Sequence, residues 1–265
     1  MNLQLDTSLA EGYSSPSQRA RVLTEDWVYR HSFCPSCGKF PLTRQPANSP
    51  VSDFWCSRCK EEFELKSRTS AFGTKIVDGA YDTMMARLVS STNPNLFLLS
   101  YHKVQLKVTS FMTIPKQFFV PAVIEKRKPL SLNARRAGWT GCNISLGGIP
   151  EAGKIFIVEN GIEADCAEVR SAWQKTLFLR QSFSNLEAKG WLLDVMRVVE
   201  KIGKQTFALS EVYAFEEELR MLHPGNSHIK DKIRQQLQVL RDNDYLDFTS
   251  RGSYRLKQIN SAKPT

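Results

Sequence analysis

The chain has 265 residues, 42% hydrophobic and 24% charged, a balance typical of a globular protein that is long enough for two domains. No window approaches the roughly 18 apolar residues that a membrane-spanning helix requires, and no secretory signal opens the sequence, so we expect a cytoplasmic protein with no membrane partner. Thirty-six Lys and Arg against 27 Asp and Glu give a net charge of +9, which favours a polyanionic partner.

The first part of the chain alternates between helix-like and strand-like patterns. Apolar spacing predicts helices over residues 17–30, 76–89 and 165–177. Short runs rich in β-branched and aromatic residues predict strands over residues 51–55, 62–66, 95–101, 108–114 and 154–158. This alternation predicts a mixed α/β domain over residues 1–182.

The periodicity breaks near residues 180–186, where we place the boundary of a second, α+β domain over residues 183–265. Its pattern predicts one helix after the boundary, a second over residues 210–222 and a third that Ser227 caps. Residues 245–249 and 253–257 then flank a turn at Arg251-Gly252, which predicts a β-hairpin. Three helices followed by a hairpin are typical of a winged helix-turn-helix domain.

Four cysteines have the spacing of a structural zinc site: Cys34-x₂-Cys37-x₁₈-Cys56-x₂-Cys59. Thiolates suit Zn²⁺, and four of them leave no coordination position open for a substrate or water. We therefore expect a structural zinc ion, with four unrelated free thiols as the alternative. Cys142 and Cys166 have no partner at metal spacing and are interpreted as ordinary core residues.

A second set of residues, Asp53, Glu64 and Lys66, fits a metal-dependent nuclease. On a strand Glu64 and Lys66 point to the same side, and a reversal of the chain at the second cysteine pair would bring Asp53 near Glu64. Two carboxylates could then hold Mg²⁺, with Lys66 beside the attacking water. The alternative is a half-exposed strand with alternating charged and apolar residues. Glu25, Glu61 and Glu62 are further carboxylate candidates without a firm role.

Several segments together resemble the DpnI-like family of methyl-directed, type IIM restriction endonucleases. They include RVLTEDWVYR (residues 21–30), DFWCSRCKEEFELKS (53–67), ARRAGWTGCNI (134–144) and KIRQQLQVLRD (232–242). The resemblance implies a PD-(D/E)xK nuclease domain with a zinc site, followed by a winged helix, both of which bind methylated DNA. It implies Mg²⁺-dependent cutting of double-stranded DNA at GATC that contains N6-methyladenine, with Asp53, Glu64 and Lys66 at the motif positions. Ser52 departs from the wider superfamily, where Pro often precedes the Asp.

The methyl group of N6-methyladenine lies in the major groove, which the third helix of the winged domain is expected to enter. In the first domain Arg135, Arg136 and Trp139 form a basic and aromatic cluster, in which Trp139 could supply an apolar surface for the methyl group or belong to the core. For each polar candidate the alternative is a merely solvated side chain. The candidate DNA-binding residues are Arg135, Arg136, Trp139, Ser227, His228, Lys230, Lys232, Arg234, Gln235 and Arg251.

Two other functions stay open at this point. One is a non-catalytic, zinc-containing winged-helix regulator that binds DNA, which leaves Asp53, Glu64 and Lys66 without a purpose. The other is a nuclease directed at another methylated context or at structured DNA. In each case we expect a monomer.

Overall fold

The computed structural model describes residues 1–46, 52–90, 92–181 and 185–257. The predicted strand start at Val51 and the predicted boundary between residues 182 and 183 lie outside these ranges. None of the described helices is long and apolar enough to cross a membrane. In chain order the elements are α1 (Pro16–His31), β1 (Thr43–Arg44), β2 (Phe54–Trp55), β3 (Glu62–Arg68), β4 (Lys75–Ala80), α2 (Tyr81–Ser90), β5 (Asn95–His102), β6 (Lys107–Ile114), β7 (Ile124–Lys126), β8 (Gly141–Ser145), β9 (Ile155–Glu159), β10 (Ile162–Glu163), α3 (Cys166–Gln174), α4 (Phe178–Gln181), α5 (Leu186–Ile202), β11 (Thr206–Ala208), α6 (Leu209–Tyr213), α7 (Glu216–Leu222), α8 (Ile229–Asp242), β12 (Leu246–Ser250) and β13 (Ser253–Leu256).

A seven-stranded sheet in the order β1-β2-β3-β5-β6-β9-β10 forms the centre of the first part of the chain. Only the β3–β5 pair of this sheet is parallel, and the other neighbours run antiparallel. Strand β5 is buried along almost its whole length, as its apolar run predicts. One face of the sheet packs on α1 and α3, and the core between them contains Trp27, Phe63, Phe97 and Trp173.

A smaller sheet in the order β4-β8-β7 lies beside the large one. The helix predicted over residues 76–89 is wrong in its first part, because residues 76–80 belong to strand β4 and the helix α2 begins at Tyr81. Ile76 and Val77 are β-branched residues that favour a strand, and Ile76 pairs with Ile144 of β8. The periodicity of α2 had extended the predicted helix backwards into this segment.

The last part of the chain has the predicted helices and hairpin, with two corrections. The second helix is two shorter ones, α6 and α7, separated at residues 214–215. The third helix, α8, has His228 and not Ser227 at its N-cap position, and the side chain of Asn226 accepts a hydrogen bond from His228 N at 2.7 Å. The wing is the antiparallel pair β12–β13, whose turn has Gly252 at φ 73°, and β11 adds the third strand.

The fold class is the predicted one, a mixed α/β part followed by a helix-turn-helix part. The two parts share an apolar core. Phe118 and Val123 from the first part lie in the same buried cluster as Leu192 and Met196 of α5.

Candidate functional site

The four predicted cysteines converge on one cluster. The Sγ atoms of Cys34, Cys37, Cys56 and Cys59 all lie within 4.8 Å of one another. The Cys34–Cys59 and Cys37–Cys56 sulfur pairs are each 3.5 Å apart. Four thiolates at about 2.3 Å from one ion would be separated by roughly 3.8 Å, so the cluster has the size and the donor chemistry to hold a zinc ion.

Two similar backbone turns create this cluster. In each, the residue after the second cysteine has a positive φ and donates its N–H to the carbonyl of the first cysteine. Gly38 has φ 75° and donates to Cys34 O at 2.8 Å, and Lys60 has φ 62° and donates to Cys56 O at 2.9 Å. A Cβ on Gly38 would lie 3.0 Å from Arg170 Cδ, so a glycine suits both the dihedral and the space.

The second turn reverses the chain between β2 and β3 and brings Asp53 beside Glu64. Phe54 pairs with Phe63 in this antiparallel ladder, and Asp53 N donates to Phe63 O at 2.9 Å. The carboxylate of Asp53 accepts a hydrogen bond from Leu65 N at 2.7 Å, which fixes its orientation. Asp53, which directly precedes β2, is therefore a neighbour of Glu64 on β3, as the sequence predicts.

The alternation of β3 separates the polar site from the core. Phe63 is fully buried and stacks on Phe97 of β5 at a centroid distance of 4.3 Å. Leu65 also packs against the core of this face. Glu64 and Lys66 point away from it and keep about a quarter of their side-chain surface exposed, 27% and 25%. A period-two strand thus presents the charged pair while the apolar pair anchors it.

Lys66 joins Glu64 to a residue that sequence reasoning missed. Its Nζ donates to Glu64 Oε1 at 2.5 Å and to Asp78 Oδ1 at 2.7 Å. Asp78 belongs to β4 in the smaller sheet, and its side chain is 8% exposed. The sequence does show an acidic residue between Val77 and Gly79. The helix predicted for this segment, however, gave no reason to place its side chain near Lys66.

The pKa values of Glu64 and Lys66 are both raised, for different physical reasons. Burial raises the pKa of Glu64, and the charges of Asp78 and Asp53 add to the effect against the opposing influence of Lys66. Burial alone would lower the pKa of Lys66, but the charges of Glu64 and Asp78 raise it above its usual value. The site therefore brings several carboxyl groups around one ammonium group, and carboxylate oxygens are the ligands that a divalent cation prefers.

The other acidic candidates lie around this group in different ways. Burial raises the pKa of Glu25 of α1 against the opposing charge of Arg21. The charge of Asp53 raises this pKa further, so Glu25 lies near Asp53. Glu61 faces elsewhere, since Arg180 and Asn95 bind its carboxylate. Of these two, Glu25 is the one close to Asp53, and the third candidate, Glu62, is the first residue of β3 and pairs with Trp55.

The predicted basic and aromatic cluster lies on the connection between β7 and β8. Arg135 and Arg136 are exposed, and the Arg136 guanidinium lies 4.6 Å from the Trp139 ring centroid. Trp139 is half-buried, and its ring leaves no room for a side chain at Gly141, where a Cβ would lie 2.8 Å from Trp139 Cη2. One edge of Trp139 therefore packs on the backbone at Gly141 and another part of the ring is accessible. The side chain is neither a fully buried core residue nor a fully exposed one.

The third helix of the last part turns its apolar side inward and its polar side to solvent. Ile229, Ile233 and Leu237 are buried. Within the polar side Arg234 donates to Tyr213 Oη at 2.7 Å, and Lys232 donates to Gln235 Oε1 at 2.8 Å. The predicted DNA-binding residues that are exposed here are Ser227, His228, Lys230, Arg234, Gln235 and, in the wing turn, Arg251, whereas Lys232 is half-buried.

Comparison with protein families gives two matches that follow one another along the chain. The model of the DpnI family, described as the Dam-replacing family, matches residues 1–182. The model of a Dam-replacing HTH domain matches residues 187–256. The first match contains the cysteine cluster and the Asp53, Glu64, Lys66 and Asp78 group, and the second runs from the second residue of α5 to the end of β13.

Proposed function

The chain belongs to the Dam-replacing, DpnI family of methyl-dependent enzymes that act on DNA, and from that membership we propose that it is a Mg²⁺-dependent restriction endonuclease. It hydrolyses phosphodiester bonds of double-stranded DNA at GATC that contains N6-methyladenine. The first part is a PD-(D/E)xK nuclease domain and the second a winged helix, each of which binds methylated DNA. The enzyme acts as a monomer in the cytoplasm.

One observation carries the hydrolytic part of this proposal. Asp53 directly precedes β2 and donates its N–H to Phe63 O, beside Glu64 of the paired strand β3, and the Lys66 ammonium donates to Glu64 at 2.5 Å. A DNA-binding regulator has no use for the carboxyl groups of Asp53, Glu64 and Asp78 around a single lysine, because the burial of more acidic groups than Lys66 can neutralise costs stability unless a cation binds. The regulator reading therefore leaves these residues unexplained.

The residues divide the chemistry between them. Asp53 and Glu64 hold the metal, and Leu65 N fixes the Asp53 carboxylate in position. When bound, Mg²⁺ polarises the scissile phosphate and stabilises the charge that develops on it. Lys66, held as an ammonium by its acidic neighbours, orients the attacking water and donates a hydrogen bond toward the phosphate oxygens.

Recognition is assigned to two surfaces. The exposed side of α8 enters the major groove, where Gln235 can pair with adenine and Arg234 with guanine. Lys232 and Arg251 contact phosphates. In the nuclease domain the accessible part of Trp139 supplies the apolar contact for the methyl group, flanked by Arg135 and Arg136.

The proposal is tested by digestion of one plasmid in two forms, fully N6-methylated at GATC and unmethylated, with Mg²⁺ or with EDTA. We expect cutting of the methylated form with Mg²⁺ and of no other combination. A regulator would retard the DNA in a gel and never cut it. Cleavage of both plasmids would instead show a nuclease with another target.

The Asp53→Asn variant tests the assigned chemistry in the same assay. Asparagine still accepts the hydrogen bond from Leu65 N, so the fold is expected to persist while the charge is lost. Even groups that merely orient a metal ligand change activity by roughly 10- to 100-fold, and we expect the loss of a ligand to exceed about 100-fold with DNA binding retained. The matched control is Asp82→Asn, on the exposed first turn of α2, which should cut at the unaltered rate.

A further inference from the structure

The active site described above receives one member from outside the sheet that carries the others. Glu64 and Lys66 lie on β3 of the seven-stranded sheet, whereas Asp78 lies on β4 of the three-stranded sheet. Asp78 Oδ1 accepts from Lys66 Nζ at 2.7 Å, and at 8% its side chain is the most buried of the three. The contact therefore crosses between two separately hydrogen-bonded sheets.

We infer that Asp78 is a positioning residue that holds the Lys66 ammonium in place for the cleavage reaction. This inference rests on the proposed nuclease function and adds a residue to it. A lysine has four rotatable bonds in its stem, so a single partner leaves its end group free to swing. A second carboxylate, on a different strand, restricts Nζ to positions within hydrogen-bond distance of both.

Charge gives Asp78 a role that Glu64 cannot fill alone. The carboxylate of Glu64 is Lys66's partner in this structure and is also a proposed metal ligand. Glu64 would have to share its carboxylate between Lys66 and a divalent cation, whose charge would also repel the ammonium. Asp78 accepts from Lys66 with a carboxylate of its own, so it would keep the ammonium beside the site if the Glu64 carboxylate held a cation.

The backbone around Asp78 links this position to the basic and aromatic cluster. Asp78 pairs with Cys142 of β8, and the ladder has an irregularity between Asp78 and Ala80. Strand β8 begins at Gly141, directly after the segment with Arg136 and Trp139, and the Trp139 ring packs on Gly141. The strand that presents Asp78 to Lys66 is therefore paired with the strand that follows the proposed methyl-reading segment.

The test is single-turnover cleavage of a methylated GATC duplex, with enzyme in excess and Mg²⁺ saturating, alongside DNA affinity measured in EDTA. Asp78→Asn keeps the shape and removes the charge, and we expect a rate lower by roughly 10- to 100-fold, typical of a misplaced reacting group. The dissociation constant for DNA should change less than about twofold, since the Asp78 side chain is only 8% exposed and its carboxylate accepts from Lys66. Asp82→Asn, exposed on α2, is the matched control and should match the unaltered chain.

A conservative variant separates charge from packing. Asp78→Glu retains the carboxylate and should cut faster than Asp78→Asn. The inference is overturned if Asp78→Asn cuts within about twofold of the unaltered chain, if its DNA affinity falls as much as its rate, or if Asp78→Glu is no faster than Asp78→Asn. Should Asp78→Asn fail to fold, Asp78→Ser carries the same expectation. If the unaltered chain does not cut, the proposed function is wrong. If the unaltered chain cuts and Asp78→Asn cuts equally well, only the role of Asp78 is wrong.

Discussion

At the scale of single residues, the carboxylate of Glu61 joins the second cysteine turn to the end of the first part of the chain. Its side chain is 10% exposed, and Arg180 of α4 binds both carboxylate oxygens. Asn95 Nδ2 adds a hydrogen bond at 2.8 Å. Burial alone would raise the pKa of Glu61, but the hydrogen bonds from Arg180 and Asn95 hold it below its usual value. The buried Glu61 carboxylate is therefore paired with the Arg180 guanidinium and hydrogen-bonded to Asn95.

Removal of the guanidinium should be costly, because it leaves that charge buried and incompletely paired. We expect Arg180→Ala to lower the free energy of unfolding by roughly 3 to 5 kcal/mol, measured by urea denaturation. The control is Arg19→Ala, exposed on α1, with an expected change within about 0.5 kcal/mol. The second change Glu61→Gln, made together with Arg180→Ala, should recover part of the loss. A loss below about 1 kcal/mol for Arg180→Ala would show that solvent replaces the guanidinium.

At the scale of elements, the two cysteine turns organise short strands that have little stability of their own. Strands β1 and β2 have two residues each, and β2 follows directly on the proposed ligand Asp53. Cys56 immediately follows β2, and Glu62, the first residue of β3, lies two residues beyond the second turn. A bound zinc ion would therefore fix the spacing between Asp53 and Glu64.

The Cys56→Ser variant tests this dependence. In zinc-finger peptides the ion contributes about 10 to 16 kcal/mol, so loss of one of four ligands should release the metal and unfold the first part of the chain. Metal content by atomic absorption and helix content by circular dichroism give the two readouts. Cys166→Ser, half-exposed and outside the cluster, should retain both. A Cys56→Ser protein that keeps its zinc and its helix content would contradict a structural role for the cluster.

The same elements show what could and could not be predicted from the sequence. Strand β3 and its orientation follow from a local alternation of charged and apolar residues, and the cysteine spacing predicts the turn that brings Asp53 to Glu64. These features are encoded within 15 residues, 52–66. Local pattern sufficed because the partners lie close together along the chain.

Features that depend on distant partners were not predictable in this way. Strand β4 was predicted as helix because its partner β8 lies more than 60 residues further on and leaves no trace in the local periodicity. The contact between Asp78 and Lys66 depends in turn on how two sheets pack. Strands β1 and β10 have two residues each and are defined by their pairing with a neighbouring strand. They contain no run of strand-forming residues from which they could be predicted.

At the scale of the whole molecule, the two parts are held together by more than the chain that connects them. Helix α5 of the last part contributes Leu192 and Met196 to a core that it shares with Phe118. The Glu200 carboxylate of the same helix accepts from Glu151 N at 2.9 Å and from Ala152 N at 3.3 Å. The Tyr245 hydroxyl donates to Glu200 at 3.3 Å. The proposed DNA-binding surfaces of the two parts are therefore placed relative to one another by packing.

Glu200 also makes this junction sensitive to pH. Burial raises the pKa of Glu200 above its usual value of 4.5, against the opposing effect of the two backbone N–H groups. The folded chain then retains a proton that the unfolded chain has already lost, so the contribution of Glu200 to stability falls as pH rises from below 4.5 through the raised pKa. Glutamine at this position cannot titrate and still offers an oxygen to the backbone donors.

We therefore expect the unfolding free energy of Glu200→Gln, relative to that of the unaltered chain, to increase as pH rises from about 4 to 7. Urea denaturation of both proteins at a series of pH values measures this difference. All other titrating groups are common to the two chains and cancel, which makes the unaltered chain its own control. A difference that stays constant or decreases with pH would mean that Glu200 is ionised in the folded protein as readily as in the unfolded one, and that the backbone donors outweigh its burial.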